Sequence, residues 1–449
     1  MQPRIQVAYA AARLAGWSRR RNRTTAPLAA RPAEPGISVV IPSRNGRHLL
    51  AGQLPGIVRD LPTTAEIVVV DNGSEDGTGE WLCGSWPQVR VELSREPLSF
   101  ARAVNRGAAA ARYARLCFLN NDMLLDPGFF AALERAFVEV PDLFCATAQI
   151  RFPPGVRREE TGKAVMAQAR PDDFPLRCDE PLPGEDLTYV LYGSGGCSLY
   201  DAGKFRELGG VDTIYEPAYV EDLDLGYRAW QRGWPSVYVA AAGVEHRHRA
   251  TTSRYYTAAE LESILEINYL KFLARSVSAP ATFRRLWTQA LTRLRFRAPH
   301  HQAARQALLA AAAIAHAGGP SAAPELAEDQ ILALTSGAVW IFPGHKPAAK
   351  PRVLFVAASP LALLDRLQGA AAECDPILVA FTGAAAPPPA EVLQCCVEAV
   401  LVRTGETASF RAALRQTVNK WRPGTAQVES SQMTQFLADC APVPATLAP

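Results

Sequence analysis

An apolar run, Leu116-Cys117-Phe118-Leu119, that passes directly into Asn120-Asn121-Asp122 is the feature that most limits what this chain can become. Four consecutive apolar residues fit a strand covered on both faces, as in a parallel sheet with helices on either side. In open α/β sheets ligands collect outside the carboxyl ends of the strands. The carboxylate of Asp122 therefore falls where a divalent cation or a nucleotide would be held.

The same pattern recurs upstream. Ile37 to Pro42 reads as a strand stopped by proline, followed by the loop Ser43-Arg44-Asn45-Gly46 and a helix from Arg47 to Asp60. Glu66 to Asp71 is a second strand ending in an acid, followed by the turn-rich Asn72-Gly73-Ser74-Glu75-Asp76-Gly77-Thr78 and a helix near 79–83. Val89 to Leu93 is a shorter strand, and Phe100 to Arg112 a helix with Asn105-Arg106-Gly107 early in it. This βαβαβαβ order predicts a mainly parallel sheet with the loops after strands one, two and four at one edge. Neither GxGxxG nor GxxxxGK[ST] is present, so nucleotide phosphate is expected to be neutralised by a metal on Asp122 rather than by a glycine-rich loop.

The length of 449 residues exceeds one compact domain and predicts two or three. A net charge of +3 gives no case for a nucleic-acid partner. The nine cysteines show no CxxC or Cys/His zinc spacing and read as reduced thiols of a cytoplasmic protein. No apolar run reaches the ~18 residues of a membrane span, and the first residues lack a signal-peptide pattern. Residues 1–36, with Arg13, Arg19, Arg20, Arg21 and Arg23 and a closing Arg-Pro-Ala-Glu-Pro-Gly, are expected to be a basic, solvated arm. Its alternative role is peripheral contact with anionic lipid on the inner face of the plasma membrane.

Val39-Val40-Ile41-Pro42, the stretch from Val69 to Thr78, Asn105-Arg106-Gly107 and Phe118 to Asp122 together resemble the family 2 glycosyltransferases of the GT-A fold. Further on, Gly193 to Leu199, Leu208-Gly209-Gly210-Val211-Asp212, Val220 to Arg228 and Val244-Glu245-His246 resemble the acceptor half of their rhamnosyltransferase-like members. The resemblance covers roughly 210 residues and rests on the order and spacing of eight motifs.

The resemblance implies an α/β GT-A domain, a Rossmann-like mixed sheet, over 37–275. It implies an inverting enzyme of cell-wall polysaccharide biosynthesis that moves rhamnose or a related sugar from a nucleotide-diphosphate donor to a glycan or lipid-linked acceptor. By motif match, Asp71 would bond the nucleobase in a pocket with Pro42 and Asn45, and Asn72, Asn105 and Asn121 would complete the nucleotide-sugar site with Asp122. Asp122 stands at the family's Asp-x-Asp position, here Asn120-Asn121-Asp122, and would share a Mg²⁺ or Mn²⁺ with His246. His248 is the rival ligand; counting back from Thr251 favours His246. Asp222 of the Glu221-Asp222 pair would be the base on the acceptor hydroxyl, with Glu221 beside it and Asp224 a weaker candidate. Attack opposite the leaving group gives inversion. Gln231-Arg232-Gly233-Trp234 has the wrong spacing for the Gln-x-x-Arg-Trp of processive synthases.

Residues 276–345 are Ala-, Leu- and Arg-rich at helical spacing and predict a helical extension or linker. Strands at Arg352 to Ala357 and Pro376 to Phe381 open a second α/β unit over 346–449. With the stretch Trp421 to Met433 this unit resembles the amino-terminal half of a family 4, GT-B glycosyltransferase, a partial Rossmann-like domain. Two other functions compete: a catalytically silent GT-A scaffold holding a glycan or partner glycosyltransferase, and a nucleotidyltransferase, whose glycine-rich triphosphate loop is missing.

Overall fold

A computed structural model describes residues 3–19, 21–23, 26–29, 33–152, 161–166, 173–246, 255–320 and 324–447. His248 and Thr251 lie outside the described residues. The principal sheet has nine strands: β1 (Glu34–Ser43), β2 (Ala65–Asn72), β3 (Val89–Ser94), β4 (Tyr113–Leu119), β5 (Met123–Leu125), β6 (Cys145–Arg151), β7 (Thr188–Val190), β8 (Cys197–Asp201) and β9 (Ser236–His246). Their order is β7-β9-β6-β8-β4-β1-β2-β3, with β5 paired to β9.

The first half follows the sequence pattern. β4, β1, β2 and β3 are parallel neighbours, with Val40 opposite Phe118 and Ile41 opposite Val69. Val39 to Ile41, Ile67 to Val70 and Leu116 to Leu119 are buried, which is why these strands read as unbroken apolar runs. The second half departs from a mainly parallel sheet. β8 runs antiparallel between β4 and β6, β9 is parallel to β6, and β5 and β7 run antiparallel to β9. Short strands such as Met123–Leu125 carry too few residues for a periodic signal, so this mixed half is legible only in three dimensions.

Among the described residues the helices that accompany this sheet and its extension include α1 (Pro3–Trp17), α2 (Arg47–Asp60), α3 (Thr78–Ser85), α4 (Phe100–Ala110), α5 (Phe129–Glu139), α6 (Ala202–Glu207), α7 (Glu221–Gln231), α8 (Ala258–Ser276), α9 (Pro280–Arg297) and α10 (Gln302–His316). α8 starts at a capping box in which Thr257 accepts from the Glu260 N–H and the Glu260 carboxylate accepts from Thr257. The basic arm contains a packed helix rather than a solvated segment. Ile5, Ala12 and Ala15 of α1 are buried against the extension, and Trp287 Nε1 donates to the Ala12 carbonyl at 3.0 Å. The partner surface lies more than 250 residues along the chain, beyond any local reading.

The second sheet holds five parallel strands in the order Glu398–Arg403, Asp375–Thr382, Arg352–Ala357, Thr425–Val428, Ala445–Leu447, the 3-2-1-4-5 arrangement of a Rossmann-like unit. It is extended by Val339–Pro343, antiparallel to Glu398–Arg403, so this sheet begins within the stretch read as helical linker. The two sheets meet where the Ile341 N–H donates to Thr188 Oγ1 at 3.2 Å and the Asp186 N–H donates to the Ile341 carbonyl at 3.1 Å. Glu328, 1 % exposed, fastens the extension between them by accepting from the N–H groups of Ser278 (2.6 Å) and Ala279 (2.8 Å) and from Gln231 Nε2 (2.9 Å).

Candidate active site

The carboxyl ends of β1, β2 and β4 open onto one cleft of about 360 Å³. Its floor is built where β4 stops. The Asn120 N–H donates to the Gly196 carbonyl at 2.8 Å, and buried Gln53 donates from Nε2 to the carbonyls of Asn120 (2.6 Å) and Met123 (2.8 Å), which pins the turn carrying Asn121 and Asp122. Asn121 Nδ2 donates to Ser43 Oγ at 2.9 Å, tying this turn to the loop after β1. β5 then pairs with β9 so that His246 stands opposite Met123. This register brings His246 Nε2 to 3.5 Å from Asp122 Oδ1, with Phe152 stacked on the imidazole at 6.0 Å.

The cleft is also lined by the start of α7. Tyr219 and Val220 precede it at φ 69° and 78°, two successive non-glycine residues in the left-handed region. Such backbone persists only where its surroundings hold it. Asn268 of α8 does this, donating from Nδ2 to the carbonyls of Tyr215 (2.6 Å), Ala218 (2.9 Å) and Tyr219 (3.2 Å). The bend delivers Glu221 and Asp222 to the cleft. Asp222 accepts from the Leu223 N–H at 2.8 Å and from the Gly195 N–H at 3.4 Å. Glu221 is buried, and Oε2 has no hydrogen-bond partner among the described residues. Burial, reinforced by the neighbouring Asp222 charge, pushes the Glu221 carboxyl up to about 8. Burial thus favours the neutral form of Glu221 beside Asp222.

The cleft gathers Pro42, Asn72, Asn121, Asp122, Glu221, Asp222 and His246 from the expected set. Three others lie beside it. Asp71 accepts from the Ser74 N–H at 3.2 Å and presses against Gly79, so it shapes the turn behind Asn72 and does not line the cleft. Asn45 also braces the loops: its N–H donates to Ser74 Oγ (2.9 Å), Oδ1 accepts from the Glu75 N–H (2.7 Å), and Nδ2 reaches Tyr255 (3.0 Å). Asn105 grips Val211 in both directions, at 2.7 and 2.9 Å, joining two motifs that are far apart in sequence. Asp224 is fully buried; it accepts from Tyr215 at 3.0 Å and from Ser276, and pairs with Arg228 at 2.7 Å, so it is a structural acid.

Arg44, Phe100, Ser194, Gly195, Tyr219, Tyr255 and Tyr256 also line the cleft. Arg44 is the informative addition. Its guanidinium lies over the Tyr255 ring at 4.1 Å, and its buried Nε has no hydrogen-bond partner among the described residues. Its position in Ser43-Arg44-Asn45, directly after β1, was the available signal.

Asp122 and His246 form an O,N pair suited to Mn²⁺ or Mg²⁺. No group of three or more His, Cys, Asp or Glu side chains among the described residues makes a self-sufficient metal site. The pair thus fits a cation whose other ligands come from substrate and water. No helix of the described residues is long and apolar enough to cross a membrane.

Residues 38–209 match the Glycosyl transferase family 2 profile. An N-acetylglucosaminyl-diphospho-decaprenol L-rhamnosyltransferase of Mycobacterium tuberculosis is 30 % identical over 212 residues, 42 % of this chain and 68 % of the relative. A validoxylamine A glucosyltransferase of Streptomyces hygroscopicus subsp. limoneus is 28 % identical over 243 residues, 48 % of this chain and 53 % of that relative. Among solved structures, GalNAc-T7 with UDP, GalNAc and Mn²⁺ is 18 % identical with a TM-score of 0.44, covering 61 % of this chain and 56 % of the other. With its mixed sheet, its strand-end cleft and a relative matched over two thirds of its length, the chain is a glycosyltransferase of family 2, and its principal α/β domain has the GT-A fold.

Proposed function

We propose that this glycosyltransferase moves a sugar, rhamnose or a close relative, from a nucleotide-diphosphate donor to a hydroxyl of a glycan or lipid-linked acceptor, with inversion at the anomeric carbon. The observation that carries the reading is the gathering of two groups in one cleft: Asp122 with His246 at the strand ends, and Asp222 beside Glu221 at the start of α7. The names of the rhamnosyl- and glucosyltransferase relatives support the substrate class.

Asp222 is the base. The Leu223 and Gly195 N–H groups hold its carboxylate at fixed bearing, and it takes the proton of the acceptor hydroxyl as that oxygen bonds to the anomeric carbon. The anomeric carbon–phosphate oxygen bond breaks on the opposite face and the nucleoside diphosphate leaves with the bonding pair. Glu221, whose carboxyl is pushed up by burial, lies beside the base at the start of α7. Arg44 offers its guanidinium to a donor phosphate oxygen. Asp122 and His246 would hold a divalent metal, which supplies charge stabilisation for the departing diphosphate. Asp71 and Asn45 act on the donor side by holding the loops after β1 and β2 in register.

A thermal-shift screen of nucleotide sugars, with and without Mn²⁺, tests the reading. The expected result is stabilisation by one class of nucleotide-diphosphate sugar, larger with metal. No stabilisation by any donor, with metal present, contradicts it.

A further inference from the structure

α1 is apolar almost all round, a pattern that belongs to a helix covered on every side. The protein covers only one face. Ile5, Ala12, Ala15 and Gly16 pack inward, with Gly16 so close to the Trp287 indole that a Cβ would lie 2.6 Å from it. The opposite stripe, Val7, Ala10, Ala11, Leu14 and Trp17, follows helical spacing and faces out, with Val7 69 %, Leu14 72 % and Trp17 72 % exposed.

The charge around this stripe has a single sign. α1, α9 and α10 pack together and contain no aspartate or glutamate. Arg4 and Arg13 flank the stripe, Arg284 of α9 lies over the Trp17 ring at 5.6 Å, and Arg295 lies over Tyr9 at 4.5 Å. No ion pair engages Arg4, Arg13, Arg284 or Arg295 among the described residues. The acids that face this layer from α8, Glu262 and Glu266, are held inward by Arg293 and Arg297.

We propose that this α1–α9 face is a docking surface for anionic phospholipid, with Val7, Leu14 and Trp17 entering the headgroup–acyl boundary and the flanking arginines meeting lipid phosphates. An apolar stripe with an aromatic at one end and a purely cationic border is the composition of a helix lying in a membrane interface. A second copy of this chain is the poorer occupant, because two such faces would bring arginines against arginines. The surface is also linked to the cleft. α8 packs on α10, and its Asn268 holds the Ala218–Tyr219 wall. A bilayer on the α1 face would thus connect through α10 and α8 to the wall that presents Asp222. The surface assignment stands apart from the donor, acceptor and base proposed above.

Flotation of the full chain with vesicles of neutral phosphatidylcholine, and with vesicles containing about 30 % phosphatidylglycerol, tests it. The expected result is at least about tenfold enrichment on the anionic vesicles, lost in about 0.5 M salt. Combined Val7→Ser, Leu14→Ser and Trp17→Ser should lower that enrichment about tenfold with the far-UV spectrum unchanged. If the triple variant fails to fold, Arg4→Gln with Arg13→Gln and Arg284→Gln, all at exposed positions, decides by the same loss. Wild-type protein that ignores anionic vesicles, or binding untouched by the arginine changes, overturns the proposal. So does a wild-type dimer that the triple variant converts to monomer without any vesicle binding.

Discussion

Asp122 Oδ1 and His246 Nε2 lie 3.5 Å apart because the β5–β9 ladder sets His246 opposite Met123, one residue past Asp122. Both residues are less than 9 % exposed, so the pair is shielded while it faces the cleft. His246→Ala or Asp122→Asn should raise the Mn²⁺ concentration for half-maximal donor turnover by at least about tenfold, read from metal titrations. An unchanged titration midpoint in both variants would remove the pair from the metal site.

Glu221 gives a pH signature. Its folded carboxyl is raised above the ordinary glutamate value of 4.5 to about 8, so its contribution to stability is complete below pH 4.5 and is lost as pH climbs through about 8. Glu221→Gln cannot lose a proton. Wild type should therefore lose stability relative to the glutamine variant between pH 5 and 8, by more than about 1 kcal/mol, in parallel denaturation series. Parallel pH profiles would mean that Glu221 is ionised in the folded protein.

Asn268 restrains the strained Tyr219–Val220 backbone through three carbonyls. Asn268→Ala removes every one of these bonds and leaves buried acceptors unpaired, at a cost of about 2–3 kcal/mol. Transfer to acceptor should fall more than donor hydrolysis, since the bend positions Asp222. Equal loss of both activities would assign Asn268 a purely global role.

At Gly196 a Cβ would lie 2.3 Å from Asn120 Nδ2. Gly196→Ala therefore displaces the Asn120 side chain in the turn that carries Asn121 and Asp122, and donor KM should rise about tenfold or more with the fold retained. A normal donor KM would show that the turn tolerates the shift.

How far the sequence led follows from the range over which each signal acts. β1, β2 and β4 were legible because strands buried on both faces must be apolar throughout, and Asp122, His246, Glu221 and Asp222 lie in the cleft where motif order put them. Asp71, Asn45 and Asn105 have the residue type of ligand-binding groups, and they lie outside the cleft lining with hydrogen bonds to neighbouring loops. No local pattern distinguishes those two uses. α1 departs from the expected solvated arm for a related reason: an Arg-rich segment without a local partner looks solvated, and its covering surface on α9 and α10 is distant in the chain.

Asp222→Asn is the most direct test of the chemistry. The amide keeps the size of the side chain and removes the anion, so donor Kd and metal dependence should stay within about twofold of wild type while kcat for sugar transfer falls about 10²–10⁴-fold. Transfer by Asp222→Asn at the wild-type rate, with the donor bound normally, would contradict the assignment of Asp222 as the base.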